Sequence, residues 1–581
     1  MTWRFMMTQT IERVDTIPLI HAMLRNMGVE EVIDNIFVPH GNWTGLSYGR
    51  LSSLFVTYVV HSLTHRLSSM ESWVKEHKSV IEKTTGWQLT EKDATDDRLA
   101  RLAEVLGYDM EMSNEFQLQM SQRVISGYQL PTDIARYDTT SFNVWHQPKN
   151  SKNGLLELGH SKDHRPDLLQ YKQGLAVLDP AGVPILSETI PGNRADDPLY
   201  FPAWERMVKI IGRPNFLYVA DCKAASLETR AGIDHGKGYY LFPLPMTGDT
   251  PKRIQELVLN PPKNLQDIVL EPKSEGEDIR IVGKGFAVNR RMEAHLSKGE
   301  IHSFEEQWMV TRSDAHAERQ IQSLMTRIDK TISKVSSLKP KANETADSFQ
   351  ERAKKILENA NLQNCLQLEL NEAITLEKKY VGKGRPGPNR PLKTVEIRKI
   401  SIQVHRNEAA IEQFKALAGW RIYVTNVPAD RMTVNQSTQY YRDEWLVERG
   451  FHRFKKGHIP ALPLFLRIPE RIKGLMLLLT IALQALTLME FVSRKELARN
   501  KETLSGLVPG NPKMKTSRPT AERLLSQFDN LNLLIEENQR EVKALLVGGL
   551  TQLQKRILSL LRLPESIYDL SFTQTKIKEA S

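Results

Sequence analysis

Hydrophobic and polar positions change their rhythm several times along the chain, and each change marks a boundary. Up to about residue 125 the apolar residues recur by threes and fours, as one face of a helix requires. Asp15 is placed to cap a helix opening near Pro18, with Ile20, Leu24 and Met27 on one face. Gly28 then interrupts before Val32, Ile33 and Ile36, and further helices are predicted near Leu51–Leu67 and Asp96–Leu106. Helix, glycine turn, helix is compatible with a DNA-reading pair, and equally with two packed helices of any bundle. From about 130 the period shortens. Ile134–Phe142 reads as a strand, Leu175–Leu178 and Pro184–Thr189 as a hairpin around Asp179–Gly182, and Pro198–Ile211 as a helix. Phe216–Ala220 is short and fully apolar, the kind of strand buried in a mixed or parallel sheet, and Tyr239–Leu244 is another candidate.

The stretch 246–417 reads as an insertion. It holds strands at Arg280–Val288 and Gln307–Thr311, then a long helix at Ala315–Leu338 that carries Ile321, Leu324, Ile328, Ile332 and Val335. Pro340 ends that helix, a second is predicted over Ser348–Glu358, and a Gly/Pro loop at 382–391 precedes alternating Val395, Ile397, Ile400, Ile402 and Val404. The earlier pattern resumes with the strand Trp420–Thr425, a helix over Ser437–Phe454 and an apolar helix at Gly474–Met489. The remaining residues, 493–581, read as a tail with a linker at Val508–Thr516, after which Thr520 caps a short helix bearing Leu524 and Leu525. The units expected are therefore 1–125, helical; 126–245 and 418–492, an α/β core in two parts; 246–417, the insertion; and 493–581.

Composition narrows the class. The chain has 581 residues, 40% of them hydrophobic and 25% charged, enough apolar material for large cores. That excludes a disordered tail protein, a collagen-like rod and a disulfide mini-protein. Lys plus Arg outnumber Asp plus Glu by 79 to 69, and the net charge of +10 favours a polyanionic partner. Only two cysteines, Cys222 and Cys365, are present, so neither a disulfide framework nor a zinc cluster is expected. The apolar run at 474–489 is shorter than the roughly 20 residues a bilayer requires and contains Gln484, so a buried core helix is the expectation. With no apolar secretory stretch near Met1, a cytoplasmic protein without membrane attachment is expected.

The chemistry is suggested as much by what is missing as by what is present. There is no GxxxxGK[ST] loop, no strand-placed GxGxxG, no HExxH and no GxSxG elbow. What remains is a set of carboxylates at the ends of apolar strands: Asp138 in Tyr-Asp-Thr-Thr-Ser and Asp221 in Tyr-Val-Ala-Asp-Cys. A carboxylate at such a place is desolvated unless a positive group neutralises it, and hard oxygen donors suit Mg²⁺ or Mn²⁺. Taken singly, each is better read as a turn or helix cap. Further on, Tyr441, Glu448 and Lys455 fall seven residues apart and would share one helix face, with a carboxylate between a phenol and an ammonium group. A solvated, charged helix face gives the same pattern. From Arg449 to Lys473 there are seven basic residues against Glu470 alone, a candidate phosphate-binding stretch.

Together, Asp138, Asp221 and Glu448 resemble the DDE triad of bacterial insertion-sequence transposases. The stretch Tyr441, Glu444, Glu448, Lys455 resembles their Y-box (Tyr, two residues, Arg, three residues, Glu, six residues, Lys), with one departure: Glu444 stands where the pattern has Arg. Arg442 lies two residues earlier. The segments GHSKDHRPD at 159–167, IPGN at 190–193 and GWRIYVTN at 419–426 extend the similarity. Within the Y-box, IS-four-like superfamily the chain most resembles the IS-sixteen-thirty-four-like group.

The resemblance implies an α/β fold: an RNase H-like core, a mixed sheet flanked by helices, interrupted by an α+β insertion domain and preceded by a helical N-terminal domain that binds DNA ends. The interval from Asp221 to Glu448 is far longer than that from Asp138 to Asp221, as such an insertion requires. It implies two Mg²⁺ or Mn²⁺ ions held by Asp138, Asp221 and Glu448, and DNA contacts from Tyr441, Arg442, Arg449, Arg453, Lys455, Lys456, Lys162 and His164. Arg385, in Lys-Gly-Arg-Pro, resembles the core of a minor-groove arm, and a plain flexible loop is the competing reading. The implied activity is metal-dependent cleavage at element ends and strand transfer into target DNA, cut-and-paste transposition, by a homodimer on paired ends in the bacterial nucleoid. Two alternatives share the core: a metal-dependent nuclease without strand transfer, and a DNA-binding transposition inhibitor.

Overall fold

The computed structural model describes residues 8–147, 154–161, 165–262, 264–270, 278–296, 299–341, 344–382, 391–538 and 541–575. Two compact units divide the chain. The first comprises 1–242, 291–305 and 440–581; the second comprises 243–290 and 306–439. The fold is mixed α/β.

The first unit is built on a mixed sheet. Its strands are β1 (Ile134–Val144), β2 (Leu169–Leu178), β3 (Val183–Pro191), β4 (Leu217–Ala220) and β5 (Tyr239–Pro243), in the spatial order β3-β2-β1-β4-β5. β1 and β2 are antiparallel from Ala135 opposite Leu178 to Val144 opposite Leu169. β2 and β3 form the expected hairpin, with a register shift at Ala176/Val177. β4 runs parallel to β1, Ile134 to Tyr137 facing Leu217 to Ala220, and β5 runs parallel to β4. The parallel connections are made by helices, among them α1 (Tyr200–Ile211), as parallel crossovers require. Strands this central carry few polar residues: β4 is buried at all four positions.

Two later helices complete this core. α2 (Trp445–Lys456) buries Leu446, Val447, Gly450, Phe451 and Phe454, a helical stripe that lies on β1 and β2. α3 (Pro469–Asn500) is the apolar segment extended at both ends. It is the one helix among the described residues long and apolar enough to cross a membrane, yet 94% of its most apolar window is buried inside the protein. Gly107 of the helix Asp96–Tyr108 and Gly474 of α3 make that packing possible: a Cβ on Gly474 would come within 1.9 Å of the Ala103 carbonyl oxygen.

The N-terminal region holds seven helices between Ile17 and Tyr128. Asp15 caps none of them: Thr16 occupies the cap, and Asp15 has a positive φ of 43° and pairs with Arg13 at 2.8 Å. In the helix–Gly28–helix pair, Ile17–Leu24 are wholly buried. The acids of the following helix are engaged within the bundle: Asp34 accepts the Ser47 hydroxyl and the Gly49 N–H, each at 2.6 Å, and Glu31 pairs with Arg123 at 2.7 Å. The region is not purely helical, and the tail is not separate from it. Thr8–Arg13 pairs with Asn532–Glu537, extending a sheet continued by Glu541–Val547 and Phe572–Thr575.

The second unit contains the strand Trp420–Thr425, antiparallel to residues 307–312, and the strand Gln266–Leu270, antiparallel to residues 280–285. Its helices Asp314–Ser336 and Ala346–Asn359 pack Leu324, Ile328, Val335, Ala353 and Leu357 into one cluster. A ribbon of two fifteen-residue strands, Leu366–Tyr380 and Leu392–Arg406, joins this cluster at its base through Leu366, Leu368, Ile402 and Val404.

Candidate active site

The first two carboxylates are brought together by strand register. Tyr137 and Ala220 are the last paired positions of the parallel strands β1 and β4, so Asp138 and Asp221 follow them side by side, one strand spacing apart. Parallel pairing with no offset makes two aspartates distant in sequence neighbours in space. The Asp138 carboxylate accepts the Thr139 backbone N–H at 2.7 Å. Asp221 opens a short turn and accepts the Lys223 N–H at 2.9 Å. The cap reading of Asp221 is therefore correct as local geometry, and it leaves the carboxylate at the strand end.

The third carboxylate arrives on α2. Asp138 lies opposite Leu175 of β2, so the two side chains share one face of the sheet. Gly450 lies against Leu175: a Cβ there would meet Leu175 Cδ2 at 2.8 Å and Leu483 Cδ2 at 3.3 Å. Four residues along β1 on that same face, Phe142 carries Lys455 Nζ 5.4 Å from its ring centre. These two contacts fix the path of α2 along β1. Glu448, half a turn before Gly450, and Glu444, one turn earlier again, stand toward the ends of β1 and β4.

Glu444 lies within reach of the charges of the other three acids. Burial pushes Glu444 up to about 7, and repulsion from Asp138, Glu448 and Asp221 adds to that, against a hydrogen bond from Tyr441 that lowers it. Tyr200, buried at the start of α1, lies beside the same group. Burial and the charges of Asp221 and Asp138 raise its hydroxyl well above the usual phenol value, and the oxygen has no hydrogen-bond partner of good geometry. Sequence reasoning treated Glu444 as a mismatch and did not single out Tyr200. The i, i+4 spacing of Glu444 and Glu448 could have flagged the first, but nothing in the sequence flags the second.

Tyr441 is not on α2. The helix Val434–Arg442 ends, and α2 begins at Trp445. Between them the backbone tightens to i→i+3 bonds: Glu444 N–H to Tyr441 O at 3.2 Å and Leu446 N–H to Asp443 O at 3.1 Å. The expected single face Tyr441–Glu448–Lys455 thus holds only for its last two members, and Tyr441 reaches the site by bonding Glu444.

Three of the seven basic residues of 449–473 are committed to ion pairs. Arg453, 3% exposed, donates to Glu490 at 2.6 Å and to Glu522 at 2.8 Å, and Arg449 also pairs with Glu490. Arg494 joins Glu490 at 3.1 Å, and Arg471 holds Glu104 at 3.0 Å. Arg453 is thus a buried structural ion pair of the core, met by carboxylates from distant segments, and the half-buried Arg449 joins it at the edge. Arg442 and Lys456 are exposed, and Lys455 is half-buried over Phe142. Lys162, His164 and Arg385 lie outside the described residues.

The transposase DDE domain family matches residues 132–484, more than half of the chain and all four carboxylates. The chain belongs to the DDE transposase family. No curated protein matches it. Among solved structures, a piggyBac transposase synaptic complex with hairpin DNA, seen by cryo-electron microscopy, shows 11% sequence identity and a TM-score of 0.23. That likeness covers 51% of this chain and 62% of the other.

Members of this family generally use divalent metal ions. The donor set fits such ions in kind: Asp138, Asp221, Glu448 and Glu444 offer only hard carboxylate oxygens, crowded enough to repel one another. Among the described residues no three His, Cys, Asp or Glu side chains already bracket a single point.

Proposed function

We propose that this protein is a DNA transposase that cleaves the ends of a mobile element and joins them to target DNA, on an RNase H-like core of the IS-sixteen-thirty-four-like group. The observation that carries the reading is the pairing of Asp138 and Asp221 at the ends of adjacent parallel strands, with α2 laid along β1 on the Asp138 face. Asp138, Asp221 and Glu448 would hold two Mg²⁺ or Mn²⁺ ions, which when bound supply an activated attacking oxygen and charge neutralisation at the leaving one. Asp138, fixed within a strand, and Asp221, fixed by its turn, are rigid donors. Glu448, on the exposed side of α2, is the adjustable one.

The chain's own residues then have separable tasks. Lys455 and Lys456 lie on the site's flank and would hold DNA phosphate, with Lys455 kept in place by Phe142. Tyr441 donates to Glu444 and orients it toward the other acids. Glu444 replaces the positive group of the Y-box pattern with a fourth carboxylate, so any phosphate contact made by that Arg must here come from elsewhere, and the exposed Arg442 is the nearest candidate. DNA ends and target DNA would be the substrates, and a homodimer on paired ends the working form in the bacterial nucleoid.

The test is nicking of duplex DNA carrying the sequences that flank the coding region, with purified protein and Mg²⁺. Cleavage at the ends is expected, followed by joining of pre-cut ends to a plasmid. Asp138→Asn and Asp221→Asn should abolish both steps while retaining DNA binding. Cleavage at undiminished rate by either variant would overturn the assignment, and cleavage without joining would favour a nuclease.

A further inference from the structure

A cavity of about 380 Å³ runs beside β3, the edge strand of the core sheet, walled by the helix Met110–Tyr128, α1 and α3. We propose that it is a binding site for a small amphipathic acid, a molecule with a hydrocarbon or aryl body and one anionic head. The proposal is independent of the transposase reading and involves none of the four carboxylates.

Size and wall chemistry come first. The volume falls within the range of small-molecule sites, and Leu106, Met110, Leu199 and Leu477 supply apolar walls. A nucleic-acid backbone has nothing to bury against such walls, but a hydrocarbon body has. Met110 is 69% exposed, so a large apolar side chain is left uncovered at the cavity.

The charge is unbalanced. Arg194, Arg206 and Lys473 line the cavity together with one carboxylate, Glu188. That carboxylate is already doubly engaged, by Arg206 on one oxygen and by the Tyr137 hydroxyl at 2.9 Å on the other. Arg206 also donates to Asn114 Oδ1 at 2.7 Å, which holds its guanidinium in place. Arg194 and Lys473 have no ion pair among the described residues. Arg194 is exposed and Lys473 half-buried, so both ammonium and guanidinium groups are free to meet an anionic head at the cavity while its hydrocarbon body lies against the apolar walls. The edge of β3 is protected here as well: its Ser187 N–H is taken by Gln117 Oε1 at 2.7 Å, so the site is not simply an open strand edge awaiting another strand.

The experiment uses the full-length protein and the fluorescent probe anilinonaphthalene sulfonate, an aryl body with one anionic head. Saturable binding at one site per chain is expected. Decanoate should displace the probe, and decyltrimethylammonium at equal concentration should not. Arg194→Ala combined with Lys473→Ala should weaken probe and decanoate binding at least tenfold with an unchanged circular dichroism spectrum. Leu199→Trp, which fills the cavity, should abolish binding. If the double variant misfolds, Arg194→Gln alone, at an exposed residue, must still weaken binding. Non-saturable binding, equal displacement by the cation, or affinity unchanged in Arg194→Gln and Leu199→Trp would overturn the proposal.

Discussion

Replacing Glu444 by glutamine should make the metal-free protein more stable at neutral and alkaline pH and no more stable in acid. Burial, together with Asp138, Glu448 and Asp221, raises this carboxyl from 4.5 to about 7. Between those values the folded chain keeps a proton that the unfolded chain has released, so folding stability falls as pH rises through the interval and levels off above it. At 1.36 kcal/mol per pH unit, the span corresponds to about 3 kcal/mol, and solvent reaching the partly exposed side chain trims this toward about 2 kcal/mol. Glutamine keeps the shape and can still meet Tyr441, but it has no proton to lose. Urea denaturation of both proteins in EDTA at pH 4.5, 6 and 8 isolates the effect, because every other titrating group is common to the pair. The difference should be near zero at pH 4.5 and grow steadily to pH 8 in favour of Glu444→Gln. A difference of constant size across pH, or a variant less stable at pH 8, would refute the claim that four carboxylates crowd one site.

Other outcomes follow from the same geometry. Glu522 is pushed up by burial but held down to about 2 by the Arg453 charge and hydrogen bond, so its contribution of about 3 kcal/mol is present above pH 4.5 and lost as pH falls toward 2; Glu522→Gln should flatten the acid limb of the stability curve measured by urea titration. Gly450→Ala places a methyl 2.8 Å from Leu175 Cδ2 and should lift α2 from the sheet, costing about 1–3 kcal/mol in denaturation and a larger loss of end nicking than of DNA binding. Mn²⁺ should raise the melting temperature of the wild-type chain, and Asp221→Asn should remove most of that rise in the same thermal scan. Glu490→Gln removes the negative charge shared by Arg449, Arg453 and Arg494 and should cost about 3–5 kcal/mol, read by the same denaturation assay.

Local features of this protein were legible because they depend on few neighbouring residues. The strand 134–142, the apolar run 216–220 and the helix around 474–489 all stand where the sequence places them, because burial constrains consecutive positions. The carboxylates at the strand ends were readable for the same reason: an acid that closes an apolar strand is conspicuous. What escaped was set by partners far away. The seven basic residues of 449–473 read as a phosphate-binding stretch, but Glu490, Glu522 and Glu104 neutralise three of them, and no local pattern announces a pairing across tens or hundreds of residues. The N-terminal strand 8–13 finds its partner at 532–537, a non-local pairing whose closure depends on the whole intervening fold. The break at Asp443–Glu444 is subtler. Its residues suit a helix interior and none is Gly or Pro, so the interruption comes from tertiary demand: α2 must lie along β1 with Gly450 on Leu175 while Glu444 stays turned toward Asp138. A site that places like charges together and departs from local propensity to do so is held by its surroundings. Because the break sets Glu444 beside the other acids, it is the position where substitution reports most directly on the site.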